Sequence, residues 1–175
     1  MLQPKADWYW FCEQQSLMLS LGANLQFKTA YSNKHLLHRP DGKQWFSLED
    51  TARYHALAEQ LKASGLAVSG AELSQILINA VAAQGFHKPV TLRSWYFAEQ
   101  PHFGVVHQLA SLENALGKGH VLVLEQDANV ANCMVISKCL SLHDDKKLAQ
   151  FELIRVMKNR LVPFIAQFNY LSQSA

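Results

Sequence analysis

The sequence predicts an α+β protein: an N-terminal antiparallel meander covered by two helices, short strands suited to a small barrel or sandwich, and a last helix. Three features predict it. Asp7-Trp-Tyr-Trp-Phe-Cys12 and Leu17-Met-Leu-Ser-Leu21 are apolar runs joined across Glu13-Gln-Gln-Ser16, and the second passes through Gly22-Ala-Asn24 into Leu25-Gln-Phe27. Polar and apolar residues alternate in part along the last two, as they do in half-buried strands. Further on, two segments pair a helix cap with apolar residues at helical spacing, and from about Phe103 to Leu148 short apolar segments alternate with polar turns.

Within the meander Trp8 and Trp10 alternate with Tyr9 and Phe11, so both faces of the first strand are apolar. Such a strand is buried on both sides or presents one adhesive face to a protein partner. Thr29 to Gln44 is polar and irregular, with Asn33, Arg39-Pro40 and Asp41-Gly42 as turn signals. Ser47 caps the first helix, Glu49 and Asp50 suit its positive end, and Tyr54, Leu57, Ala58 and Leu61 form its stripe up to Ser64-Gly65. The second helix starts with the capping box Ser69-x-x-Glu72, continues through Leu73, Ile76, Leu77, Ala80 and Val81, and ends at Gly85. Arg93-Ser-Trp-Tyr-Phe97 reads as a strand by its aromatics.

A boundary is expected near Glu99-Gln-Pro101-His102. Beyond it the strand candidates are Gly104–Leu109, His120–Glu125, Val130–Ser137 and Cys139–Leu142, with turns at Gly117-Lys-Gly119, Asp127-Ala-Asn129 and Asp144-Asp145. Phe151, Ile154, Met157 and Leu161 then recur at helical spacing, with Pro163 just beyond, and the tail Ser172-Gln-Ser-Ala is expected to fray.

Composition narrows the function classes. Hydrophobic residues make up 49% and charged residues 17% of 175, enough for a core and too apolar for disorder. No apolar run approaches the ~20 residues that span a bilayer, and the start lacks the apolar core of a secretory signal. A cytoplasmic protein without membrane insertion is expected. Cys12, Cys133 and Cys139 form no Cys-x-x-Cys pair and read as free thiols. The net charge of +2 does not by itself imply nucleic acid. Its distribution says more: no acid occurs between Glu13 and Asp41, around Lys28, Lys34 and Arg39, or between Glu72 and Glu99, around His87, Lys88 and Arg93. Such gaps suit a basic face for an acidic protein, and equally suit ordinary solvated charge.

Catalytic motifs are absent. Gly117-Lys-Gly-His120 lacks the spacing and hydroxyl of a phosphate loop, and no Gly-x-Ser-x-Gly elbow occurs. His35-x-x-His38 has zinc-compatible spacing but no neighbouring Cys or carboxylate, and His102 and His107 meet the same objection. Asp144-Asp145 beside Lys146-Lys147 reads as a solvated turn, Glu125 has no visible partner, and Cys133 fits a core strand without an activating base. Neither metal nor cofactor is expected. Trp8, Trp10, Trp45 and Trp95 interleaved with basic residues leave a second reading open, a small nucleic-acid-binding module.

The order and spacing of several segments resemble the ZapC family of bacterial cell-division proteins. They are Trp8-Tyr-Trp10, Met18-Leu-Ser-Leu21 through Phe27, Lys88-Pro89 with Arg93-Ser-Trp-Tyr-Phe97, Val121-Leu-Val-Leu-Glu125, Asn129-Val-Ala-Asn-Cys-Met134 and Met157-Lys-Asn-Arg-Leu161. The match runs from Trp8 to Leu161 and is weak across Leu37–Trp45 and Phe103–Lys118. The resemblance implies a mixed α/β N-terminal domain, residues 1–99, packed on a small β-barrel-like C-terminal domain, residues 100–175. It also implies a non-enzymatic protein, a monomer or weak dimer, that binds the tubulin-like polymer FtsZ directly. Such proteins favour lateral association of FtsZ protofilaments and suppress its GTPase activity at the mid-cell division ring. FtsZ proteins are generally acidic, so Lys88 and Arg93, around Trp95, are the expected contacts, with Leu19 as an apolar anchor if the first sheet is open on one side.

Overall fold

The computed structural model describes residues 1–101 and 108–166. The meander forms as its pattern dictates: β1 (Tyr9–Glu13), β2 (Ser16–Ser20) and β3 (Gln26–Ser32) are antiparallel neighbours, and β4 (Gln44–Trp45) adds to the free edge of β1, giving the order β3-β2-β1-β4. Gln14 and Gln15 both take positive φ in the two-residue turn between β1 and β2, a conformation whose twist matches that of the strands it joins. At Gly22, φ is +79° and an added Cβ would lie 2.1 Å from the Asp7 carboxylate, so both backbone and space exclude a side chain there.

Both helices start where their caps place them. In α1 (Leu48–Ala63) and α2 (Gly70–Phe86) the Ser47 and Ser69 hydroxyls accept from the Asp50 and Glu72 amides, and those carboxylates accept from the serine amides in return. Helix α2 runs one residue past Gly85. It is buried on nearly all sides, because it lies between the first sheet and a second one. Its Gln84 donates to the Leu124 carbonyl at 2.9 Å, and one hydrophobic core runs from Trp8, Trp10, Leu17 and Leu19 through α2 to Leu122 and Met134.

The second sheet is antiparallel, in the order β10-β7-β6-β5-β11, built from β5 (Leu109–Asn114), β6 (Gly117–Gln126), β7 (Val130–Val135), β10 (Leu153–Met157) and β11 (Val162–Pro163). A hairpin of β8 (Cys139–His143) and β9 (Lys146–Ala149) closes over it. Between them lies a second core of Val121, Val123, Cys133, Leu140, Leu148, Ile154 and Val156. In β6, Val121 and Val123 face this core while Leu122 and Leu124 face the first, so the strand reads as one continuous apolar run. The α+β architecture with a strand-rich C-terminal part follows the expected class.

Three local expectations give way to pairing. The helix expected over Phe151–Leu161 is instead β10 and a 3-10 turn, Lys158–Arg160: Ile154 pairs with Cys133 and Val156 with Ala131, and this alternation buries every second side chain. Arg93–Phe97 is not a strand. Ser94–Tyr96 forms a 3-10 turn, with the buried Ser94 hydroxyl accepting from the Met157 amide at 2.7 Å. Gly117-Lys-Gly119 is not the turn but the start of β6. The turn is Ala115-Leu116, and Gly119 sits where a Cβ would come within 2.7 Å of Leu140 Cδ1. Most of the Gly104–Leu109 candidate, His102, His107 and the tail Ser172–Ala175 lie outside the described residues.

Candidate protein-docking surface

The chain leaves α2 through Lys88-Pro89 and reaches β10, where Leu92 bridges Arg155 in parallel and the Arg93 amide donates to the Arg155 carbonyl at 2.8 Å. The 3-10 turn that follows turns Trp95 outward, 68% exposed, against the Tyr96 ring at 5.5 Å. Lys146 Nζ, from β9, sits 3.2 Å from the Tyr96 hydroxyl. That hydrogen bond, with smaller help from Trp95, Lys146 and Arg93, holds the phenol below its usual range. The result is a surface of Leu92, Arg93, Trp95, Arg155 and Met157, while Lys88 is exposed just past the end of α2. Among the described residues no carboxylate lies within ion-pair distance of Lys88, Arg93 or Arg155; the ion pairs are Arg53–Glu49, Lys118–Glu113 and Arg160–Glu99. Arg93 is half-buried without an ion pair, and Arg155, also half-buried, attracts Asp127 across a longer distance, an arrangement that leaves room for an incoming carboxylate.

A second surface lies on the outer side of the first sheet. Phe11 pairs with Met18 and Tyr9 with Trp45, and cross-strand partners share a face. Tyr9, Phe11 and Met18 are half-buried, Trp45 is 60% exposed, and Lys43 Nζ stands 4.6 Å over the Tyr9 ring. Trp8 and Trp10 take the inner face. Of the two readings of the Trp8–Phe11 alternation, the structure selects the one with an open aromatic face.

The four residues singled out from the sequence divide. Arg93 and Trp95 share one surface, whereas Lys88 is exposed past the end of α2, on a hollow that Glu125 also lines. Leu19 does not join them: its side chain has no exposed area and points from β2 into the first core, because the helices cover that face of the sheet. As a contact residue Leu19 is withdrawn, and its role is packing. Arg155 was missed. Its signal, a cation between buried Ile154 and Val156, was hidden by assigning the segment to a helix.

Chemistry is sparse among the described residues. No three His, Cys, Asp or Glu side chains cluster as metal ligands, and His35 and His38 take different partners, the first stacking on His87 and the second tilted against Phe86. Ser111 Oγ lies 2.9 Å from His120 Nδ1, but Ser111 is fully buried and cannot meet a substrate. The hollow beside Lys88, lined by His87, Leu124, Glu125, Asn132 and Leu153, holds about 120 Å³, below the ~300 Å³ of an ordinary ligand pocket. Buried Cys133 is pushed up to about 12 by desolvation, far from thiolate reactivity. No helix among the described residues is long and apolar enough to cross a membrane.

The fold is α+β, and its most distinctive surface groups are exposed aromatics near cations without ion pairs among the described residues. Comparison with known proteins gives the family. Residues 1–88 match the family described as Cell-division protein ZapC, N-terminal, and residues 89–167 match Cell-division protein ZapC, C-terminal. A relative named Cell division protein ZapC from Pseudoalteromonas atlantica is 46% identical over 167 residues, 93% of this chain and 94% of its own. Others of that name come from Tolumonas auensis, 32% identical over 182 residues covering 99% of both chains, and Shewanella woodyi, 34% over 168 residues covering 93% of this chain and 92% of its own. The chain belongs to the ZapC cell-division family, and its role lies in cell division.

Proposed function

We propose that this protein is a non-enzymatic division factor that binds FtsZ directly, promotes lateral association of its protofilaments, and suppresses its GTPase activity at the mid-cell ring in the cytoplasm. The observation that carries the reading is family membership along nearly the whole chain, joined to exposed Lys88 and Trp95 and half-buried Arg93, neither cation holding an ion pair among the described residues. An acidic polymer offers the missing carboxylates, and an exposed tryptophan beside arginine is the residue pair that dominates protein interfaces. A second aromatic surface on the first sheet supports bridging, because a monomer with two contact surfaces can touch two filaments and gains avidity when both are polymeric.

Binding the polymer better than the free subunit shifts assembly forward by linkage. Slower subunit exchange then lowers GTP turnover with no contact to nucleotide. The test is FtsZ sedimentation with GTP, with and without this protein, with phosphate release followed in the same tubes. The reading expects more FtsZ in the pellet, this protein beside it, and slower phosphate release. Lys88→Glu with Arg93→Glu should abolish that co-sedimentation at low salt while circular dichroism stays unchanged. Unaltered sedimentation and hydrolysis of FtsZ would refute the partner, and nucleic acid would then be the next ligand to try. Unaltered binding by the double variant would refute only the surface.

A further inference from the structure

The ring of His35 lies parallel to that of His87, with centroids 5.7 Å apart and 12° between planes, and Tyr31 stands edge-on to both. His35 closes the 3-10 turn Asn33–His35 that follows β3, whereas His87 is the residue on which α2 ends. Around the two rings the backbone of these segments is joined twice. The Lys88 amide donates to the His35 carbonyl at 2.9 Å and the Leu37 amide donates to the Phe86 carbonyl at 2.8 Å, which together make the antiparallel bridge between Leu36 and His87. This junction sits where the chain passes from the first sheet and its helices toward the second sheet. Tyr31 ties it to the far side, its hydroxyl donating to the Phe151 carbonyl at 2.9 Å.

We propose that the stacked His35–His87 pair is a proton-operated latch, closed while both rings are neutral and released when either takes up a proton. Hydrogen bonding sets the tautomers. The Ser32 amide donates to His35 Nδ1 at 3.1 Å, so that nitrogen must keep a lone pair and the ring proton sits on Nε2. A second proton on Nδ1 breaks this cap. His87 Nδ1 lies 2.6 Å from the Lys88 carbonyl and donates to it, so Nε2 is where His87 accepts a proton. Either cation then faces a parallel ring, and two cations repel.

Most groups around the pair oppose protonation. Lys34 and Lys88 flank it and disfavour a further positive charge, Glu152 from the segment before β10 attracts one to His35, the Lys88 carbonyl favours one on His87, and Tyr31 is a neutral phenol whose proton burial retains. Burial is the largest cause holding both rings below the ordinary 6.5, followed for His35 by the charge of His87. Below that value the folded chain therefore binds fewer protons than the unfolded one, so stability rises with pH. The latch contribution is fully present above 6.5 and is lost as pH falls through 6.5 toward the depressed values. Opening it releases the Lys88 backbone from His35 and loosens the wall of the hollow that His87 and Lys88 line, which makes the pair a regulator of that part of the surface. The inference stands whether or not the partner is FtsZ, since its test needs no partner.

The test is a titration of the full chain from about pH 7.5 to about pH 5, following histidine ring signals and the amides of Ser32, Leu37 and Lys88 by NMR. Both rings are expected to titrate below ordinary histidine. Over the same interval the protection factors of the Leu37 and Lys88 amides should fall at least about tenfold, once corrected for intrinsic exchange. His87→Gln should keep these amides protected across the range, as should His35→Asn, whose side-chain carbonyl can still accept from Ser32. His38→Gln should respond like the parent. Ordinary or raised titration of both rings, or amide protection that ignores their titration, would overturn the latch. If neither substituted chain folds, the parent titration alone decides.

Discussion

Asp50→Ala tests the joint between the first sheet and its helices. Asp50 is buried at the third position of α1, and its Oδ2 accepts from both the Ser47 amide at 3.0 Å and the Trp10 indole at 3.2 Å. Removing it opens the capping box, worth about 1 kcal/mol. It also leaves the indole N–H of a fully buried tryptophan unpaired, worth a further ~1–3 kcal/mol. The first core already contains one unpartnered indole, that of Trp8, so the fold survives such a defect. The expected loss is ~2–4 kcal/mol, a fall in Tm of about 5–15 °C for a chain of this size. Urea unfolding followed by tryptophan fluorescence measures it, with an unchanged m-value as the sign that the native state keeps its compactness. Ser47→Ala, which removes the cap but leaves the indole bond, should lose only about 1 kcal/mol. In a Trp10→Phe background Asp50→Ala should fall to that same value. Equal losses for Asp50→Ala and Ser47→Ala in the parent chain would show that the indole bond contributes nothing.

Leu19→Ala and Trp95→Ala should separate packing from contact. The first empties space in a closed core and should lose ~2–5 kcal/mol in denaturant unfolding, whereas the second removes an exposed ring and should stay within about 0.5 kcal/mol of the parent. Tyr31→Phe removes the hydroxyl that donates to the Phe151 carbonyl and should lose ~1–2 kcal/mol by the same measurement. Thiol labelling should mark exposed Cys139 at once and leave Cys133, buried and pushed up to about 12, unlabelled until the chain unfolds; early labelling of Cys133 would show that the second core opens locally.

Much of the fold was legible where local chemistry acts alone. Ser47 with Asp50 and Ser69 with Glu72 fix helix starts within a few residues of sequence, and neither box needs the rest of the molecule. Segments whose local signals conflict were not legible. Phe151, Ile154, Met157 and Leu161 match a helical period, while Ile154-Arg-Val156 also matches an alternating one, and pairing with Cys133 and Ala131 decides between them. Trp95-Tyr-Phe97 has the composition of a strand, but Ser94 spends its hydroxyl on the Met157 amide and the chain turns instead. For the docking surface, the sequence exposed an acid-free stretch and could not say which of its side chains face water.

The sequence by itself determined the α+β class, the two capped helices, the N-terminal meander and the family, because each is written in neighbouring residues or in their order along the chain. Tertiary structure alone decided that Leu19 is core, that Tyr9 and Phe11 line an open face, and that Arg155 joins Arg93 beside Trp95. It also decided that His35 meets His87 across 52 residues. The physical reason is common to all four: a side chain's exposure and partners depend on which face of its element is covered, and residues distant in sequence supply the cover.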